Sequence, residues 1–148
     1  MIININYKGI LKEGVEKLVF SGWKPCQCVM KFQNYTIVEF RSGKCRVMGC
    51  KAPLDISSLP LPIEIECIQS VSITFDYGHR LNLVKMLELD SAATYEPEIF
   101  PALRINDFNP LCVNVFASGK VVVHGIKTLN FNELVDEINL YIFMHDFQ

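Results

Sequence analysis

One corner occurs twice in this chain, seventy-six residues apart: Val38-Glu39-Phe40-Arg41-Ser42-Gly43-Lys44 and Asn114-Val115-Phe116-Ala117-Ser118-Gly119-Lys120. In each, a phenylalanine stands two residues before a Ser-Gly pair, where a tight turn needs the positive φ that glycine adopts without penalty. A further glycine, Gly49 or Gly125, ends the run that follows. A hairpin repeated in this way predicts a duplicated fold with two equivalent halves. Function is then to be sought on a surface that both halves share.

At 148 residues and 50% hydrophobic, the chain can bury a core as one unit or as two fused half-units. No apolar run reaches the roughly 18 residues of a membrane span, and Met1 to Lys8 lacks the architecture of a signal peptide. The expectation is a soluble, intracellular protein with no membrane partner. Cys26, Cys28, Cys45, Cys50, Cys67 and Cys112 show no paired C-x-x-C spacing and sit in apolar runs, so they read as buried, reduced thiols. The net charge of −2 matters more, because generic nucleic-acid binding relies on Lys and Arg displacing counterions. Any nucleic-acid role must work against that balance.

Met1 to Tyr7 reads as a strand, and Leu11, Val15, Leu18 and Val19 mark one face of a short helix. Cys26 to Phe32, Tyr35 to Phe40 and Lys44 to Met48 read as three antiparallel strands, joined at Gln33-Asn34 and Ser42-Gly43. Pro53 to Pro62, with three prolines, excludes regular helix. This places a first repeat at 1–52, a linker at 53–62 and a second repeat at 63–148. The second repeat follows the same order: a strand from Ile63 to Phe75, a helix from Leu81 to Leu89, and strands at Phe100 to Ile105, Cys112 to Phe116 and Lys120 to Ile126. A last helix carries the apolar stripe Phe131, Leu134, Val135, Ile138, Tyr141 and Ile142, with Asn130 and Glu133 spaced as a capping box.

Thr94-Tyr95-Glu96-Pro97-Glu98-Ile99-Phe100-Pro101-Ala102-Leu103, followed by Val115 to Val123 and Gly125-Ile126-Lys127, resembles the second repeat of the TATA-box-binding protein family. Residues 1–51 resemble the first repeat through Phe40-Arg41-Ser42-Gly43-Lys44 and Gly49-Cys50-Lys51, and the family's long helix between repeats is replaced by the proline-rich segment. The resemblance implies an α+β fold, a saddle of two pseudo-symmetric repeats of strand, helix and strands. A curved antiparallel sheet would carry its helices on the convex face. In the family the concave face lies on the DNA minor groove and two phenylalanines per repeat wedge between base steps; these proteins are themselves a standard case of that mechanism. The corresponding positions are Phe100 and Phe116 in the second half, and Phe40 with Trp23 in the first. Aromatics near hairpins can equally cap a core, which is the competing reading.

The groove-facing positions depart from the family. Met48 and His124 replace the threonine before each closing glycine, Arg46 stands where a valine is usual, with Val122 as its second-half equivalent, and Asn114 replaces a leucine. The central asparagine of the second repeat's first strand maps near Cys67. Arg46 suits a narrow A·T minor groove, and His124 can donate to a base edge or a phosphate when protonated. Lys44, Lys120 and Lys127 match basic family positions and suit phosphates. Against this stands a sheet whose exposed residues touch no DNA.

Glu96 and Glu98 lie in the loop with which family members dock an initiation factor of the B type; a solvated acidic loop is the alternative. The expected function is thus a divergent factor that binds and bends A·T-rich double-stranded DNA, weakly when alone, and nucleates a transcription initiation complex. The alternative is a saddle-fold interaction or regulatory module that has lost DNA binding, with a homodimer through the concave face as one way to cover an empty saddle. The opening rich in Ile and Asn suggests a large DNA virus or parasite, hence action in a nucleus or a cytoplasmic viral factory. His79, His124 and His145 form no zinc-ligand pair, and no G-x-S-x-G, P-loop or G-x-G-x-x-G occurs, so neither enzyme activity nor a cofactor is expected.

Overall fold

Val121 and Val123 are fully buried while Val122 between them is partly exposed, the period-two signature of a strand covered on one face only. The same alternation organises most of the chain in a computed structural model that describes residues 1–11, 27–40, 42–60 and 62–146. The elements run β1 (Ile2–Leu11), β2 (Gln27–Lys31), β3 (Thr36–Phe40), β4 (Lys44–Cys50), a single 3-10 turn (Ile56–Ser58), β5 (Ile63–Asp76), α1 (Leu83–Leu89), β6 (Ala102–Ile105), β7 (Cys112–Phe116), β8 (Lys120–Ile126) and α2 (Asn132–His145). Among the described residues no helix is long and apolar enough to cross a membrane.

Packing divides the chain into an N-terminal unit, Ile2–Val71, and a C-terminal unit from Ser72 onward that includes Met1. The division falls inside β5 and not in the 53–62 segment. The N-terminal unit has strand order β2-β3-β4-β1-β5, and the C-terminal unit has β5-β8-β7-β6. Pairings within the hairpins are antiparallel.

In the N-terminal unit Ile5, Tyr7, Ile37, Cys45, Val47, Ile63 and Val71 form the core. The backbone N–H of Leu54 donates to the Tyr7 hydroxyl at 3.0 Å, which ties the segment after β4 to that core. Asp55 then caps the 3-10 turn, accepting from the backbone N–H and the hydroxyl of Ser57. Leu11 ends β1 and does not begin a helix; Val15, Leu18 and Val19 lie outside the described residues.

In the C-terminal unit Ile73, Leu103, Ile105, Val113, Val115, Val121 and Val123 are buried, as are Met86 of α1 and Ile138 and Ile142 of α2. Each such side chain contributes about 1.5–3 kcal/mol by leaving water. Asn82 caps α1 by accepting from the N–H of Lys85 at 3.1 Å. The expected capping box on α2 does not form. Phe131 occupies the N-cap without a side-chain bond, because the Thr128 hydroxyl takes the Asn130 N–H at 3.1 Å and the helix starts one residue later than that spacing requires.

The cysteines also divide. Cys45 and Cys50 are buried, Cys112 is partly exposed and Cys67 is exposed, which corrects the expectation that all are buried. Cys67 follows Glu66, also exposed, where β5 breaks its alternation. Cys26 and the side chain of Cys28 lie outside the described residues.

Candidate nucleic-acid interface

The two Ser-Gly corners are built alike. Gly43 and Gly119 have φ of 91° and 96°, and their N–H groups bond to the carbonyls of Phe40 and Phe116, each at 2.9 Å. Beyond the corners, Thr36 pairs with Met48 and Val38 with Arg46, while Cys112 pairs with His124 and Asn114 with Val122. The carbonyls of Gly43 and Gly119 in turn accept from Leu11 and Tyr77. By that pair of bonds β1 residues correspond to β5 residues sixty-six positions later, so Asn6 matches Ser72 and Lys8 matches Thr74.

On the N-terminal unit the uncovered sheet face carries the row Val29, Val38, Arg46, Lys8 across β2, β3, β4 and β1. Arg46 holds its Cζ 5.9 Å from the centre of the Phe40 ring and donates to the carbonyl of Cys45 at 3.0 Å. Phe40 is partly exposed and Met48 is exposed. Asn6 sits at a bulge in β1, where its Oδ1 accepts from the N–H of Gly49 at 3.1 Å and its Nδ2 donates to Ser70 Oγ at 3.3 Å. Trp23 lies outside the described residues.

On the C-terminal unit the matching row is Arg104, Asn114, Val122. His124 is exposed, with Nδ1 2.8 Å from Ser72 Oγ. The corner is closed by Phe100 and Phe116, whose rings meet edge to face with centroids 5.9 Å apart and planes 72° apart. Phe100 keeps 48% of its surface exposed, well short of the burial of a core ring. A groove of about 300 Å³ beside it is lined by Ile99, Phe100, Arg104 and Asn114 among others. The N–H groups of Ile99 and Phe100 both bond to the Glu96 carbonyl at 2.9 Å, and Glu96, Glu98 and Ile99 project as an exposed turn. Lys44 and Lys120 stand exposed at the two corners.

Comparison with solved structures matches this fold to a TBP of Methanococcus jannaschii, with a TM-score of 0.77 over 97% of each chain at 23% identity. The family model described as transcription factor TFIID (or TATA-binding protein, TBP) matches residues 66–138. The TATA-box-binding protein of Methanocaldococcus jannaschii is 31% identical over 121 residues, which cover 68% of this chain and 63% of that protein. That of Tetrahymena thermophila is 31% identical over 130 residues, covering 76% of this chain and 52% of that protein. The chain belongs to the TATA-box-binding protein family. It is a divergent member, and its match spans just under two thirds of the first of these relatives and about half of the second.

This is a family of transcription factors and not of enzymes. Lys8 had no signal in the sequence, since it falls beyond Tyr7, where the period-two pattern of the first strand fades. Ser72 was hidden for a related reason: β5 lacks a clean alternation from which to count.

Proposed function

We propose that the protein binds A·T-rich DNA in the minor groove through the uncovered sheet faces, bends it with Phe40, Phe100, Phe116 and Trp23 as wedges, and nucleates a transcription initiation complex. The observation that carries this reading is the Phe100–Phe116 pair, two large rings at one corner with half of Phe100 in solvent. Refilling an opened base step needs such flat apolar groups, since unstacking costs a few kcal/mol. Arg46 and Val122 line the floor with His124, while Lys44 and Lys120 meet phosphates. The exposed turn with Glu96 and Glu98 takes a basic surface of an initiation factor of the B type or its equivalent.

The test is a titration of an A·T-rich duplex carrying a donor and an acceptor dye at its ends, at low and moderate salt, with and without such a factor. Binding should bring the dyes together, and Phe100→Ala with Phe116→Ala should leave binding weaker and the duplex straighter. A protein that neither binds nor bends the duplex under any of these conditions is instead a saddle-fold interaction module.

A further inference from the structure

Helix α2 has two apolar faces, and the core uses one. Ile138, Tyr141 and Ile142 are buried, yet Leu140, Phe143 and Met144 are 58%, 62% and 62% exposed. Glu133, Asp136 and Glu137 are exposed as well. At about 100° per residue these six side chains fall within one arc of roughly 120°, opposite the buried set. The stripe changes chemistry along its length: three carboxylates on the N-terminal turns, then three bulky apolar groups on the C-terminal turns. A merely solvated face would stay polar throughout, and large contiguous apolar groups on a surface mark a place where something binds.

We propose that this stripe docks an amphipathic helix of a partner protein, running antiparallel to α2, apolar along its N-terminal half and rich in Lys and Arg along its C-terminal half. In that orientation the partner's apolar groups cover Leu140, Phe143 and Met144, and its cations reach Glu133, Asp136 and Glu137. The same cations sit at the end of the partner helix where the backbone dipole favours positive charge. The charge pattern disfavours the other occupants. Two copies of α2 packed antiparallel would set carboxylates on apolar groups, and packed parallel would set carboxylates on carboxylates. An anionic lipid surface meets the same repulsion.

The probe is a labelled synthetic helix of about 18 residues, roughly five turns, with Leu at the contact positions of its first half and Lys at those of its second. Titration of the full chain should show saturable binding. A peptide with Glu in place of Lys should bind at least about tenfold more weakly, by loss of the charge pairing. Phe143→Glu should abolish binding, and Glu133→Lys with Glu137→Lys should invert the preference between the peptides; circular dichroism confirms that each variant is folded. Absence of saturable binding, equal binding of both peptides, or unchanged binding by Phe143→Glu overturns the proposal. So does sedimentation showing a dimer that Phe143→Glu dissociates, since a second copy would then be the occupant.

Discussion

Lys8 lies directly opposite Arg46 in the β1–β4 ladder, two cations side by side on the uncovered face of the N-terminal unit. Cross-strand neighbours of like charge destabilise a sheet by a few tenths to about 1 kcal/mol, and the C-terminal unit avoids this with Thr74 and Val122 at the matching places. A pair that costs stability is understandable where a polyanion neutralises it.

Lys8→Thr should therefore raise the free energy of unfolding by about 0.2–1 kcal/mol at low salt, with the gain fading as salt screens the pair. The same change should weaken binding to A·T-rich duplex and flatten the dependence of log affinity on log salt by about one unit. Urea melts at low and high salt, and anisotropy titrations over the same range, read both effects. A Lys8→Thr protein that is less stable than its parent at low salt, or that binds DNA as tightly, contradicts this account.

The two corner glycines should respond differently to one added methyl. Gly43 and Gly119 share a positive φ, but a Cβ on Gly43 meets nothing within 4 Å, whereas on Gly119 it collides with the backbone carbonyl of His79. Gly43→Ala then carries the left-handed penalty of about 1–2 kcal/mol. Gly119→Ala adds a backbone collision and should cost about 3 kcal/mol or more. Chemical denaturation of the two variants compares them directly, and equal losses would place the cost in φ alone.

Cys45 and Cys67 should differ in reactivity. Burial, followed by the nearby Glu39 charge, pushes the Cys45 thiol up to about 11, so at pH 8 it offers almost no thiolate. Cys67 is exposed on β5. Under native conditions iodoacetamide should modify Cys67 long before Cys45, and denaturant should erase the difference. Peptide mapping by mass spectrometry locates the label; early modification of Cys45 would show that its strand opens readily.

What the sequence revealed, and what it hid, follows from how local each signal is. The ranges Cys112 to Phe116 and Lys120 to Ile126 are readable to the residue, because alternating valines and a Ser-Gly corner are local and agree with the register. The end of β1 is set by pairing with β4 and not by period, so the Lys8–Arg46 contact emerges only from the ladder, and the equivalence of Ser72 with Asn6 only from the bonds at the two glycine corners. The capping box fails because Thr128, outside the motif, competes for the same backbone group. The exposed stripe on α2 is invisible in one dimension, since apolar residues there lie on both faces and only packing decides which is covered.

The joint between α1 and α2 ties stability to pH through Tyr141 and Asp90. The Tyr141 hydroxyl donates to Asp90 Oδ2, the Ala92 N–H donates to Asp90 Oδ1 at 3.0 Å, and the His145 ring stacks on Tyr141 at 3.9 Å. Burial raises the Asp90 pKa, but the bonds from Tyr141, Ala92 and Asp107 outweigh it and leave the net shift downward. Asp107 moves up, through burial and then the charge of Asp90. In acid the two oppose: the contribution of Asp90 is present above 3.8 and lost as pH falls through its lowered value, while that of Asp107 is present below 3.8 and lost as pH rises through its raised one. Tyr141 has no such counterweight. Burial first, and its bond to Asp90 second, raise it above the ordinary 10.0, so its contribution is full below pH 10 and disappears as pH rises beyond it. Unfolding free energy should therefore fall more steeply above pH 10 for the parent than for Tyr141→Phe, which should itself be less stable at neutral pH by about 1–3 kcal/mol from the lost partner of Asp90. Urea melts across that range compare the two slopes, and parallel curves would mean that the Tyr141 proton is not tied to folding.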